Sequence, residues 1–141
     1  MRKIAVIYWS MTGNTETMAN AIAEGVVAAG GEADVKAVTD ISVNDALEYD
    51  GLALGCPAMG AEVLEEIDFE PWFTEIEGRL SGKRTALFGS YGWGDGQWMR
   101  DWQARAESAG ASLVADGLTV NEAPDEHGLA QCRALGAALA G

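Results

Sequence analysis

The chain has 141 residues, 48 % of them hydrophobic, with 22 acids against 9 bases and a formal net charge of -13. One domain of this length buries a full core, and no apolar run approaches the roughly 20 residues that a bilayer span requires. So acidic a balance argues against nucleic acid and against anionic membrane surfaces as partners. Residues 1–3 carry two positive charges, but the apolar run behind them is too short for an export signal and has no small-residue cleavage site. The expected location is therefore the cytoplasm. Cys56 and Cys132 show neither CxxC nor metal spacing, and His127 is the one histidine. No metal is expected, and Ser-His-Asp or Cys-His catalysis has no support.

Residues 4–9 form an apolar run and read as the first strand. A helix is expected over 14–29, with Met18, Ile22, Val26 and Ala29 on one face at the 3.6-residue period. Gly30-Gly31 ends it. Residues 33–38 read as a short, more polar strand near a sheet edge. A short helix or turn then lies within 39–50, with Ser42 or Asn44 as its cap. Residues 51–56 are apolar without alternation, which marks a strand buried on both faces, and Pro57 stops it. A helix is expected over 72–77 and a strand over 85–89. A helix over 97–108 aligns Trp98, Trp102 and Ala106. The last strand, 113–120, is interrupted at Asp116-Gly117. Pro124-Asp125-Glu126 opens a terminal helix that buries Leu129, Cys132, Leu135 and Leu139.

Strands alternating with helices imply βαβ units, and right-handed crossovers narrow these to a doubly wound α/β domain. The expected fold is a single unit, 1–141, with a five-stranded parallel sheet in the order 2-1-3-4-5. Ligands of such sheets sit outside the carboxyl ends of the strands, at the switch between strands one and three. Three glycine-bearing loops leave those ends, at 10–15, 57–62 and 90–95. The first brings the hydroxyls of Ser10, Thr12 and Thr15 to a helix N-terminus, a pocket for a phosphate.

No lysine or arginine lies between Lys3 and Lys36, so the Gly-Lys-Ser/Thr of a phosphate-transferring loop is absent. GxGxxG is missing as well. A low-molecular-weight phosphatase would need a cysteine and an arginine here, and a receiver domain an aspartate where Cys56-Pro57 stands. Met59 and Trp93 are large apolar residues on loops that should face water. Together, beside a phosphate pocket, they point to a flat aromatic ring held between them. FMN meets that description better than a mononucleotide does.

Ser10-Met11-Thr12-Gly13-Asn14-Thr15 resembles the flavodoxin phosphate loop, commonly Ser/Thr-x-Thr-Gly-x-Thr. Gly55-Cys56-Pro57-Ala58-Met59-Gly60 and Ser90-Tyr91-Gly92-Trp93-Gly94-Asp95-Gly96 resemble the second and third flavin loops of short-chain, clostridial-type flavodoxins. The likeness runs through the whole chain in order. It implies a three-layer flavodoxin-like sandwich holding FMN non-covalently. It also implies a low-potential electron carrier, not a substrate-converting enzyme, cycling mainly between semiquinone and hydroquinone.

Carried onto this sequence, the resemblance places the cofactor among Trp9 to Thr15, Pro57 to Glu62 and Ser90 to Gly94. Ser10, Thr12, Asn14 and Thr15, with backbone amides through Gly13, would hold the phosphate beneath Met11. Met59 would pack on the inner face of the ring and Trp93 on the outer. Gly92 and its neighbours Ser90, Tyr91 and Gly94 would meet its pyrimidine edge. Glu62 would accept from flavin N3, and the Gly60 carbonyl would turn toward N5-H on reduction. A type II′ turn at 59–62 would give Gly60 its positive φ. Three departures stand out. Met11 is larger than usual, Pro57 removes a hydroxyl, and Ala61 replaces a common Asp or Ser beside Ala58 and Met59.

Seven acids and no bases lie between Glu62 and Glu77. One carboxylate ~12 Å from a flavin, at an effective dielectric of ~40, opposes an added electron by roughly 0.7 kcal/mol. That is about 30 mV for a one-electron step. The same acids would steer basic-surfaced redox protein partners in transient encounters with a monomer. The alternative, an FMN enzyme such as a quinone reductase, needs a substrate cavity that short loops and Trp93 leave no room for.

Overall fold

In the computed structural model, which describes residues 2–141, the first apolar run forms β1 (Lys3–Tyr8), with Ile4 to Ile7 fully buried. α1 (Asn14–Ala28) follows and leads to β2 (Glu32–Ala37). A 3-10 turn (Val38–Asp40) and the short α2 (Val43–Ala46) come next, α2 being capped by Ser42 Oγ, which accepts from Asp45 N at 3.1 Å. β3 (Gly51–Gly55), α3 (Phe69–Glu77), β4 (Arg84–Tyr91) and α4 (Gln97–Ser108) complete the middle of the chain. Two short strands, β5 (Ser112–Leu113) and β6 (Leu118–Asn121), precede α5 (Glu126–Ala140).

All pairings are parallel and the order is β2-β1-β3-β4-β5, with β6 also paired to β4. The expected fifth strand is thus two pieces at one place in the sheet. Gln103 on α4 is the cause: its Oε1 accepts from Gly117 N at 2.8 Å and its Nε2 donates to Asp116 Oδ1 at 3.1 Å. Those contacts draw residues 116–117 out of the ladder.

Strand periodicity assigns the core. Ala5, Ile7, Leu52, Leu54 and Leu87 face α2, α3 and α4, whereas Ile4, Val6, Ala53, Ala86 and Phe88 face α1 and α5. On the second face two glycines bring α1 and α5 together. A Cβ on Gly25 would lie 1.9 Å from the Arg133 carbonyl oxygen, and one on Gly136 would lie 2.0 Å from that of Ile22. Ala29, expected on the buried face of α1, is instead its exposed C-cap, and Leu129 is only half-buried.

α3 begins at Phe69, earlier than its expected start at 72, because Pro71 falls in the first turn, where its missing N–H costs nothing. The start is fixed by Glu65, a carboxylate 5 % exposed that accepts from the amides of Ile67, Asp68 and Phe69, each at 2.8 Å. Burial opposes its charge, but the three amides outweigh burial and lower its pKa. Glu65 therefore adds stability above the ordinary carboxylate range, lost as pH falls through its depressed pKa. Glu65→Gln should cost about 2 kcal/mol in urea unfolding at neutral pH. The gap from the parent protein should close in acid, and a pH-independent gap would refute the charge-based account.

Candidate cofactor site

Because every strand is parallel, the loops after β1, β3, β4 and β6 open at one edge, around a cleft of about 280 Å³. Ser10, Met11, Thr12, Asn14 and Thr15 line one end of it. Gly13 stands at φ 95 as the N-cap of α1, a left-handed position that suits glycine. Ser10 Oγ accepts from Gly13 N at 3.1 Å and from Glu16 N at 3.4 Å. Among the described residues, the amides of Asn14 and Thr15 have no acceptor, as the geometry of a helix start dictates. Thr15 and Ser90, both buried, join their hydroxyls at 3.2 Å and so tie the first loop to the third.

Glu16 would oppose an anion here, but its carboxylate accepts from Tyr8 Oη at 3.0 Å and lines a neighbouring depression, not the cleft. Burial, together with that hydrogen bond, raises the Tyr8 pKa. No lysine or arginine lines the cleft, so an anion there meets only neutral donors and the positive end of the α1 dipole.

The second loop contributes Pro57, Ala58, Met59 and Gly60. It hangs from the sheet through Ala58 N, which donates to Ser90 O at 3.0 Å. Its turn closes through Glu62 N to Met59 O at 2.8 Å and Met59 N to Val63 O at 3.0 Å. The expected II′ geometry is not what forms. The positive φ belongs to Glu62, at 52, and Gly60 has none. Held by its carbonyl and amide on either side of the turn, the chain takes its left-handed step two residues later. Glu62 Oε1 accepts from Gln97 N at 3.2 Å, so its carboxylate braces the start of α4 against the second loop. It also fills the space beside Gly94, where a Cβ would lie 2.5 Å from Oε1.

The third loop contributes Ser90, Tyr91 and Gly92. Trp93 does not fold back on the core: it is 63 % exposed. Trp9, Gly13, Ala61, Glu62, Trp93 and Gly94 are the expected site residues that do not line the cleft. Trp9 packs inward on the α3–α4 face of the core. Glu122 lines the cleft and was missed. It follows β6 at φ 58 and donates its amide to Tyr91 O at 2.7 Å. The signal was available, since the last strand ends at the same edge as the other three.

Neutral donors at one end, Met59 and Tyr91 at the other, and a carboxylate at the rim suit a phosphate carrying a flat ring. Cys56, buried behind the second loop, has its thiol pushed up to about 12 by burial and takes no part as a nucleophile. Among the described residues no group of acids, His or Cys could hold a metal ion, and no helix is long and apolar enough to cross a membrane.

The flavodoxin family model matches residues 6–136. Flavodoxin from Clostridium beijerinckii is 50 % identical over 121 residues, covering 86 % of this chain and 88 % of that protein. Flavodoxin from Megasphaera elsdenii is 46 % identical over 137 residues, covering 97 % and 98 %. The chain belongs to the flavodoxin family. The solution structure of two-electron reduced Megasphaera elsdenii flavodoxin superposes with a TM-score of 0.88 at 45 % identity, over 97 % of this chain and 98 % of that one. Family membership makes the chain a low-potential electron-transfer protein that carries FMN, not a substrate-converting enzyme.

Proposed function

We propose that residues 1–141 act as one unit that seats FMN in this cleft with its phosphate at the α1 end and its ring between Met59 and the 90–94 loop. The observation that carries this reading is the polarity of the cleft: hydroxyls and helix amides at one end, apolar walls at the other, and no base between. Bound there, FMN supplies one-electron chemistry. Ser10, Thr12, Asn14 and Thr15 hold its phosphate with neutral donors, which suits a permanent anchor better than a phosphate to be transferred.

Met59 covers the inner face of the ring, and the exposed Trp93 is free to close over the outer face. Pro57, Ala58 and Gly60, with Tyr91 and Gly92, fix the edge nearest the sheet. Glu62 holds the second and third loops at a constant spacing and remains beside the pyrimidine edge. A Cβ at Gly60 would meet nothing within 4 Å, so this part of the turn is open on its side-chain side. Glu122 adds a carboxylate at the cleft to the acids of the 62–77 run. Both disfavour further negative charge on the ring and so depress the second reduction step.

The partners of this reading are basic-surfaced redox proteins meeting a monomer in the cytoplasm. The acidic rim supports the partner class, and two buried, unpaired cysteines support the compartment. The test is a reductive titration of the FMN-loaded protein against an indicator dye. The second potential should lie below that of free FMN, and transfer to a basic acceptor should slow as salt is added. A second potential at or above that of free FMN would refute the electrostatic account.

A further inference from the structure

Among the described residues, five large apolar side chains are exposed: Met11, Val27, Val63, Ile67 and Trp93. Four of them lie on the loops at the cleft edge. Met11 and Trp93 belong to the cofactor loops, but Val63 and Ile67 line no part of the cleft. Ile67 is 82 % exposed, more than any of the others. An isoleucine so placed contributes almost nothing to folding.

The backbone that presents it is nonetheless tightly held. The buried Glu65 carboxylate grips the amides of 67, 68 and 69, Glu65 N donates to Cys56 Sγ at 3.4 Å, and Val63 O accepts from Met59 N. A stiff, β-branched side chain on a fixed turn loses little entropy when a partner covers it. The turn also has a definite place. Asp68 lines a depression with Trp9, Ser10 and Glu16, and Ser10 lines the cleft as well. Through its neighbour Asp68, Ile67 lies on the side of the turn that adjoins the first loop.

The surroundings specify the occupant. Exposed Glu66 and Asp68 bracket Ile67 in the chain, with Glu62 beyond Val63. Across the sheet edge, Arg100 is paired to Asp95 at 3.0 Å. An apolar knob in a negative field fits an apolar depression ringed by lysine or arginine, with charge steering the approach and the knob setting residence time. We propose that Ile67, with Val63, is the apolar anchor on which a basic electron-transfer protein docks. This rests on the electron-carrier reading, which its test keeps separate.

The probe is cytochrome c, a small haem protein whose apolar haem edge is ringed by lysines. Its reduction by the fully reduced, FMN-loaded protein is followed by stopped flow for the parent, Ile67→Ser, Val63→Ser and Val27→Ser. At high salt, where steering is screened, Ile67→Ser should weaken the transfer complex by about tenfold, with both flavin potentials unchanged. Val63→Ser should weaken it less, and Val27→Ser not at all. Glu66→Gln should slow transfer at low salt only. If Ile67→Ser equals the parent, or Val27→Ser matches its loss, the anchor is refuted while the carrier reading stands. A chain that takes up no FMN overturns both.

Discussion

Thr15→Val should weaken FMN binding by about 2 to 3 kcal/mol, a loss of roughly 30- to 160-fold in affinity. The substitution keeps the shape of a side chain that is 1 % exposed and removes one oxygen. Thr15 lines the cleft and its hydroxyl meets Ser90 Oγ at 3.2 Å, so on the proposed seating its loss would leave two groups short of a partner, the Ser90 hydroxyl and a phosphate oxygen. No lysine or arginine in the cleft can compensate. The measurement is quenching of FMN fluorescence as apoprotein is added. Unfolding of the apoprotein reports the Ser90 share alone, which should be about 1 kcal/mol. An FMN affinity that falls no further than that would remove Thr15 from the phosphate site.

Gly136→Ala should destabilise the fold by about 3 kcal/mol, a large part of the stability of a domain this size. Two effects oppose each other. Alanine in place of glycine within a helix gains about 1 kcal/mol from propensity. Its methyl group, however, would stand 2.0 Å from the Ile22 carbonyl oxygen, and backbone cannot swing aside as a long side chain can. The two helices would have to part by roughly 1 Å or more, undoing packing along the whole α1–α5 contact. The steric effect wins. Gly25→Ala should behave alike, with Arg133 O at 1.9 Å, and the double variant should lose less than the sum because both force the same separation. Urea midpoints decide it: an unchanged or raised midpoint for Gly136→Ala would mean that the helices tolerate a wider spacing. FMN affinity should fall in parallel, because α1 carries the phosphate loop at its N-terminus.

The sheet order and the meeting of three loops at one sheet edge were legible because unmixed apolar runs, glycine stops and hydroxyl-rich loops report backbone topology directly. What escaped was decided by contacts between segments distant in sequence. The break at Asp116-Gly117 was itself legible, but nothing local to 113–120 says that Gln103 holds those two residues out of the ladder. The early start of α3 depends on Glu65, which read only as one acid in a run of seven. Gly60 suited a positive φ by residue type, yet the two hydrogen bonds of its turn moved that conformation to Glu62. Glu122 was hidden because three loops already accounted for a phosphate and a ring.

Between the Thr85–Leu113 pair and the Phe88–Leu118 pair, β4 supplies two residues, Ala86 and Leu87, where the outer chain supplies four, 114–117. The outer strand is therefore jointed. Each half takes its register from β4 independently, and only the second half, through Val120 and Asn121, sets the position of Glu122 at the cleft. Chain length at the joint is thereby uncoupled from chemistry at the edge: material added there would lengthen the molecule's flank without shifting the cofactor's wall.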